Sequence, residues 1–159
     1  MYKLTTTYKK LLADTFTPVS VYLRLRDIFP NSLLLESSDY HGNENSFSYI
    51  CCNPVASVKV EKGHFIESFP DGTSRETQIT SKFDVPAAIH EFSQKFKTTG
   101  PDFSFINEGL FGYIAYDGVQ YFEKLELSKK KDDLEIPEIN YSVYRSEEHT
   151  SELQSPLDI

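Results

Sequence analysis

With 159 residues, 39% of them apolar, and a formal charge of −8, the chain is sized for about one domain. That charge argues against a nucleic-acid or anionic-membrane partner, either of which calls for a basic face. No apolar run approaches the roughly 20 residues that span a bilayer, and the N-terminus lacks a basic-then-apolar signal pattern.

In chain order, Thr5–Thr15 reads as a short helix, with Tyr8, Leu11 and Leu12 at i, i+3 and i+4. Thr17-Pro18 then offers an N-cap and a proline at the first helical position. The helix that follows is expected to run to about Ile28, with Val21, Tyr22, Leu25, Ile28 and Phe29 on its apolar face and Arg24 and Arg26 toward water. After Pro30 the pattern turns to strands. Ser32–Ser37 is the first, and its three consecutive leucines (Leu33, Leu34, Leu35) read as a strand buried on both faces. A carboxylate and two hydroxyls follow at once, in Glu36, Ser37 and Ser38. Such a strand end supports either a small pocket with fixed hydrogen-bonding groups or an ordinary core strand running into a solvated loop.

A polar loop over 39–45 leads to a second strand, Ser46–Cys52, which Asn53-Pro54 should end. The adjacent Cys51 and Cys52 point to opposite faces of a strand, which fits two free core thiols in a reducing cytoplasm rather than a disulfide or metal site. Val55–Glu61, a turn at Lys62-Gly63, His64–Phe69, a turn at Pro70-Asp71-Gly72 and Arg75–Ile79 read as an antiparallel meander with one wet face. Asp84 can cap a helix whose apolar stripe is Val85, Ile89, Phe92 and Phe96. His64 and His90 have no second ligand nearby in sequence, so no metal site is expected. Gly109–Tyr116 is an aromatic strand whose Gly109 and Gly112 indicate close packing or a bulge. Asp117 can cap a short helix carrying Val119, Tyr121 and Phe122, and the mixed-charge run through Lys129–Asp133 is a solvated loop.

The last fifteen residues differ in character. Arg145 to Ser155 is polar, breaks the alternation of Ile139, Tyr141 and Val143, and matches the in-frame translation of a common DNA-sequencing adapter. Residues 145–159 are therefore expected to be a non-native, disordered tail that does not belong to the fold formed by 1–144.

Four segments resemble anthranilate synthase component I, a chorismate-using enzyme. They are Leu11 to Tyr22 with its Asp14 and Thr17-Pro18; Leu34-Leu35-Glu36-Ser37; Ser48-Tyr49-Ile50 followed by Asn53-Pro54; and Gly109-Leu110-Phe111-Gly112-Tyr113 with Tyr116-Asp117 and Tyr121-Phe122-Glu123. Each is weak alone, but their order and spacing cover nearly all of residues 8–144. Ser46 stands where the family often has a basic residue, and Cys51 where Gly is common.

The resemblance implies an α+β fold of mostly antiparallel sheet with a few helices, an incomplete part of that family's sandwich. It implies the N-terminal region of a cytoplasmic lyase. That enzyme converts chorismate and glutamine to anthranilate, pyruvate and glutamate in the first step of tryptophan biosynthesis, with Mg2+ required and a glutamine amidotransferase subunit (component II) as partner. Catalysis would lie in a chorismate-binding domain outside this chain, so no catalytic residue and no metal ligand is expected in it. The Leu-Leu-Glu-Ser element implies part of a feedback-inhibition site for L-tryptophan, with Ser37 first, then Glu36 and Leu35, and Ser48 from the neighbouring strand. Two alternatives stay open. One is aminodeoxychorismate synthase component I on the folate route, and the other is a non-catalytic amino-acid-binding module.

Overall fold

The computed structural model describes residues 1–7, 9, 11–12, 15–36, 47–100, 109–124 and 136–151. The chain divides into two compact units, Met1–Lys9 with Val55–Val143, and Lys10–Pro54 with Tyr144–Ile159. The architecture is α+β, with mostly antiparallel strands and few helices, as the sequence implies.

The first unit is built on a sheet. Its strands are the Val55–Glu61 part of β3 (Phe47–Glu61), β4 (His64–Ser68), β5 (Ser74–Gln78), β7 (Phe111–Ile114) and the Ile139–Val143 part of β8 (Ile139–Ser151), in the order β5-β4-β3-β8-β7. The β3–β4 hairpin turns at Lys62-Gly63, both at positive φ (51° and 77°), the geometry that suits the twist of a two-residue hairpin. Val58 and Val60 on β3 face the core with Phe65 on β4 and Ile139 and Val143 on β8. Helix α2 (Val85–Ser93) closes that core with Val85 and Phe92. Asp84 caps it by accepting from the Ala87 N–H at 2.9 Å, as its position in the sequence predicts.

Phe96 does not continue the helical stripe. It starts β6 (Phe96–Thr99), which pairs in parallel with β1 (Tyr2–Thr5). The Tyr2 ring stacks on Phe69 and Phe96 at centroid distances of 5.8 and 5.5 Å, and the Phe92–Phe96 rings meet edge to face at 5.2 Å. The meander's wet face also has an exception. Glu67 alternates with Phe65 onto the buried side, where its carboxylate accepts from the Lys95 ammonium at 2.5 Å. That ammonium lies 4.9 Å from the Phe69 ring centre, so the pairing and the ring face together offset the desolvation of the carboxylate.

Other expectations fail in instructive ways. No described residue of 5–15 beyond Thr5 lies in an element, and Thr5 itself is in β1; Leu11 and Leu12 are exposed. Long-range pairing with β6 outweighs the weak local helical spacing, which the β-branched Thr5-Thr6-Thr7 run opposes. Asn53-Pro54 does not end a strand, because Asn53 adopts a left-handed φ of 59° and β3 passes through. The division between the units falls at this dipeptide. Finally, the short helix after β7 is a 3-10 helix, Tyr116–Tyr121, entered through Ala115 with no side-chain cap, so Asp117 sits in its first turn rather than capping it.

In the second unit, helix α1 (Pro18–Leu25) begins as expected, with a capping box between Thr17 and Ser20 and proline in its first turn. It stops at Leu25, so Ile28 is exposed rather than on a helical face. Strand β2 (Leu33–Glu36) pairs antiparallel with the first part of β3. Tyr144, where β8 enters this unit, donates its hydroxyl to the Asn31 carbonyl at 2.9 Å. Strand β8 runs on to Ser151, inside the segment expected to be a tail.

Candidate functional site

The residues to locate are Leu35, Glu36, Ser37 and Ser48. Strand β2 brings two of them together: in its register with β3, Glu36 stands directly opposite Ser48, and Leu35 opposite Tyr49. Opposed residues of an antiparallel pair share a face, with Cβ atoms about 5 Å apart, so the Glu36 carboxylate and the Ser48 hydroxyl emerge side by side. Leu35 leaves on the other face. Ser37 lies outside the described residues.

The strand is less buried than three leucines suggest. Leu33 and Leu34 are half-buried, while Leu35 is 36% exposed and Glu36 is exposed. Among the described residues its one strand partner is β3, and burial deepens toward the end nearest Ser32, Ile50, Cys51 and Cys52. Cys51 and Cys52 are both buried thiols outside any disulfide, as expected. The rung at Glu36 and Ser48 thus has an anionic oxygen pair, a hydroxyl that donates or accepts, and apolar side chains below it. That donor set suits a small cation carrying an apolar portion.

Outside this rung, a cleft of about 200 Å³ in the first unit is walled by Leu4, Phe96, Leu110 and Val143 with the hydroxyls of Ser93 and Thr98. It contains none of the four residues and no charged group. Among the described residues, Tyr121 is pushed up to about 12 by burial and then by the carboxylate of Glu138, to which its hydroxyl donates at 3.3 Å. At the surface, Asp71 is held below the usual carboxylate range, first by the Thr73 hydroxyl and then by the Thr73 N–H and the Tyr2 hydroxyl. Tyr2 is raised in turn by its bond to Asp71. These are structural pairings of turns and strands. Among the described residues no group of three or more His, Cys, Asp or Glu could hold a metal ion, and no helix is long and apolar enough to cross a membrane.

Gly112 shows why β7 needs glycine. A Cβ there would lie 1.9 Å from the Asn140 carbonyl oxygen on β8, the close strand packing that the sequence indicates. Gly109, at φ 135°, serves conformation instead, with open space around it.

The fold defines an α+β protein of mostly antiparallel sheet, with two of the candidate residues opposed on one rung. Comparison with known proteins then gives the particular family. The chain is 36% identical over 130 residues to anthranilate synthase component 1 of Pseudomonas putida, 37% over 131 residues to that of Pseudomonas aeruginosa, and 34% over 131 residues to that of Thermus thermophilus. These matches cover 80–82% of this chain and 26% of each relative. The solved anthranilate synthase component I of Streptococcus pneumoniae TIGR4 matches with a TM-score of 0.47 and 20% identity, over 92% of this chain and 30% of that one. No protein-family model matches. The chain is a relative of anthranilate synthase component 1, as its four segments imply, and it spans about a quarter of the length of the curated relatives it matches.

Proposed function

We propose that this chain is the N-terminal regulatory portion of an anthranilate synthase component I and carries part of its tryptophan feedback site. The longer protein would convert chorismate and glutamine to anthranilate, pyruvate and glutamate in the cytoplasm, with ammonia delivered by a glutamine amidotransferase subunit. Magnesium would act in the catalytic portion. Among the described residues of this chain, no group of three or more His, Cys, Asp or Glu would hold it. The observation that carries the reading is the rung itself. Glu36 of the Leu-Leu-Glu-Ser element stands opposite Ser48 of the Ser-Tyr-Ile element, so two separate family segments meet at one place.

On this reading Glu36 complements the ligand's ammonium, and Ser48 and Ser37 exchange hydrogen bonds with its polar end. The leucines supply apolar wall, and backbone groups along the edge of β2 add further donors and acceptors. Inhibition requires tryptophan to bind one state of the longer enzyme better than another, since equal affinity shifts nothing. Because the remainder of the pocket would come from the rest of the protein, the isolated 1–144 segment is expected to be inactive and to bind tryptophan poorly. The name shared by the relatives supports the tryptophan route over aminodeoxychorismate formation.

The test is anthranilate production by the longer protein with its amidotransferase. Ser37→Phe should relieve tryptophan inhibition measured against that variant's own uninhibited rate, and unchanged inhibition would sink the site assignment. Sequencing genomic DNA across Tyr144 separates the third reading: a stop codon there supports a stand-alone module, and an open frame into a chorismate-binding domain excludes it.

A further inference from the structure

In the β1–β6 register Tyr2 stands opposite Phe96 and Leu4 opposite Thr98. These four are half-buried, while Lys3, Thr5, Lys97 and Thr99 alternate outward and are exposed. Tyr2 and Phe96 stack on each other, and Phe96 meets Phe92 edge to face. Two residues along, Leu4 and Thr98 wall the cleft of about 200 Å³, together with Phe96, Leu110 and Val143. Gly109 lines it too, at φ 135° and with nothing within 4 Å of its Cβ position, so that stretch of wall carries no side chain. The described lining residues all belong to the first unit. Volume, charge and hydrogen bonding together define what this space takes. An apolar cavity of about 150 Å³ holds benzene, so one ring with a small substituent fits the cleft's 200 Å³. No charged residue is among the described lining, so an ionised ligand would lose hydration without gaining a counter-charge. The Ser93 hydroxyl donates to the His90 carbonyl at 2.7 Å, which commits its proton and leaves its oxygen to accept.

We propose that this cleft binds a small neutral aromatic molecule with one O–H or N–H donor, the chemical class of phenol. Ser93 accepts from that donor, and Leu4, Phe96, Leu110 and Val143 enclose the ring. Apolar walls with one or two placed polar groups are what orient a ligand of this size. The ring also extends an aromatic series that already runs from Tyr2 through Phe96 to Phe92, where tilted and stacked contacts add to simple burial. Leu35, Glu36 and Ser48 are not part of the lining, so the site stands or falls apart from the tryptophan reading.

The experiment titrates this chain with phenol, toluene and benzoate and follows its leucine and valine methyl resonances by NMR. Phenol should shift the Leu4, Leu110 and Val143 methyls saturably. The Val60 methyls should stay in place, because Val60 pairs with Glu138, about 17 Å along the strand from Val143. Benzoate, a ring of similar size with a charge, should leave all of them unmoved at concentrations where phenol saturates. Ser93→Ala should weaken phenol about threefold to tenfold, the worth of one hydrogen bond, and leave toluene unchanged, which also reports an intact cleft. Absence of a saturable phenol shift, shifts equally large at Val60, or benzoate binding as well as phenol overturns the proposal, and these need no variant. A Ser93→Ala loss shared equally by toluene, or no loss for phenol, overturns it as well.

Discussion

The two units bury their apolar side chains differently. In the first, Val58, Val60, Phe65, Val85, Phe92 and Ile139 are all exposed by 2% or less, drawn from three strands and a helix. In the second, α1 buries none of its residues and leaves Val19 and Leu23 45% and 47% exposed, although its start is capped on both sides by Thr17 and Ser20. Local signals therefore suffice to start a helix but not to stabilise one. An eight-residue helix is marginal in water, and its stability comes from the face it packs. Among the described residues, the second unit buries Ile50, Cys51 and Cys52 on β3 instead, at 1%, 0% and 5% exposed.

The contrast can be broken most forcefully at Phe92. Phe92→Ala should cost about 3–5 kcal/mol in urea unfolding, whereas Val19→Ala on α1 should stay within about 0.5 kcal/mol. A similar loss at both sites would erase the distinction. Next, Gly112→Ala should cost about 1–3 kcal/mol, because its Cβ meets backbone that cannot move without parting β7 from β8. A smaller and sharper probe is the matched pair of caps. Asp84→Ala should cost about 1 kcal/mol globally, while Thr17→Ala should instead show as faster amide exchange confined to α1. Equal global losses would mean that α1 is as firmly built in as α2.

The smallest effect concerns pH. Tyr121 has its pKa raised from 10.0 to about 12 in the folded state, so that state holds the proton more tightly than the unfolded chain does. Its contribution is fully present below pH 10 and is lost as pH rises toward 12. Tyr121→Phe should flatten the fall in stability across that window. An unchanged slope would show that the hydroxyl titrates alike in both states.

What was legible in the sequence follows from how local each signal is. Thr17-Pro18, Asp84 and Lys62-Gly63 act within a few residues, and each does what its chemistry predicts. The parallel pairing of Tyr2–Thr5 with Phe96–Thr99 joins segments more than ninety residues apart, and no periodicity announces it. Phe96 continued a helical stripe by spacing alone, yet the chain leaves the helix at Gln94 to pair with β1. The buried Glu67 was hidden by an alternation that reads as one wet face. At the site, the motif residues Glu36 and Ser48 do meet, but that they stand on one rung follows from the register, which sequence alone leaves open by one residue.

The central claim is that the β2–β3 edge helps to hold tryptophan. Titration calorimetry of tryptophan into the longer protein tests it most directly, comparing the natural residue at position 37 with Ser37→Phe. The account predicts saturable binding in the first and its loss in the second. Equal heats and equal affinity in the two proteins would contradict it.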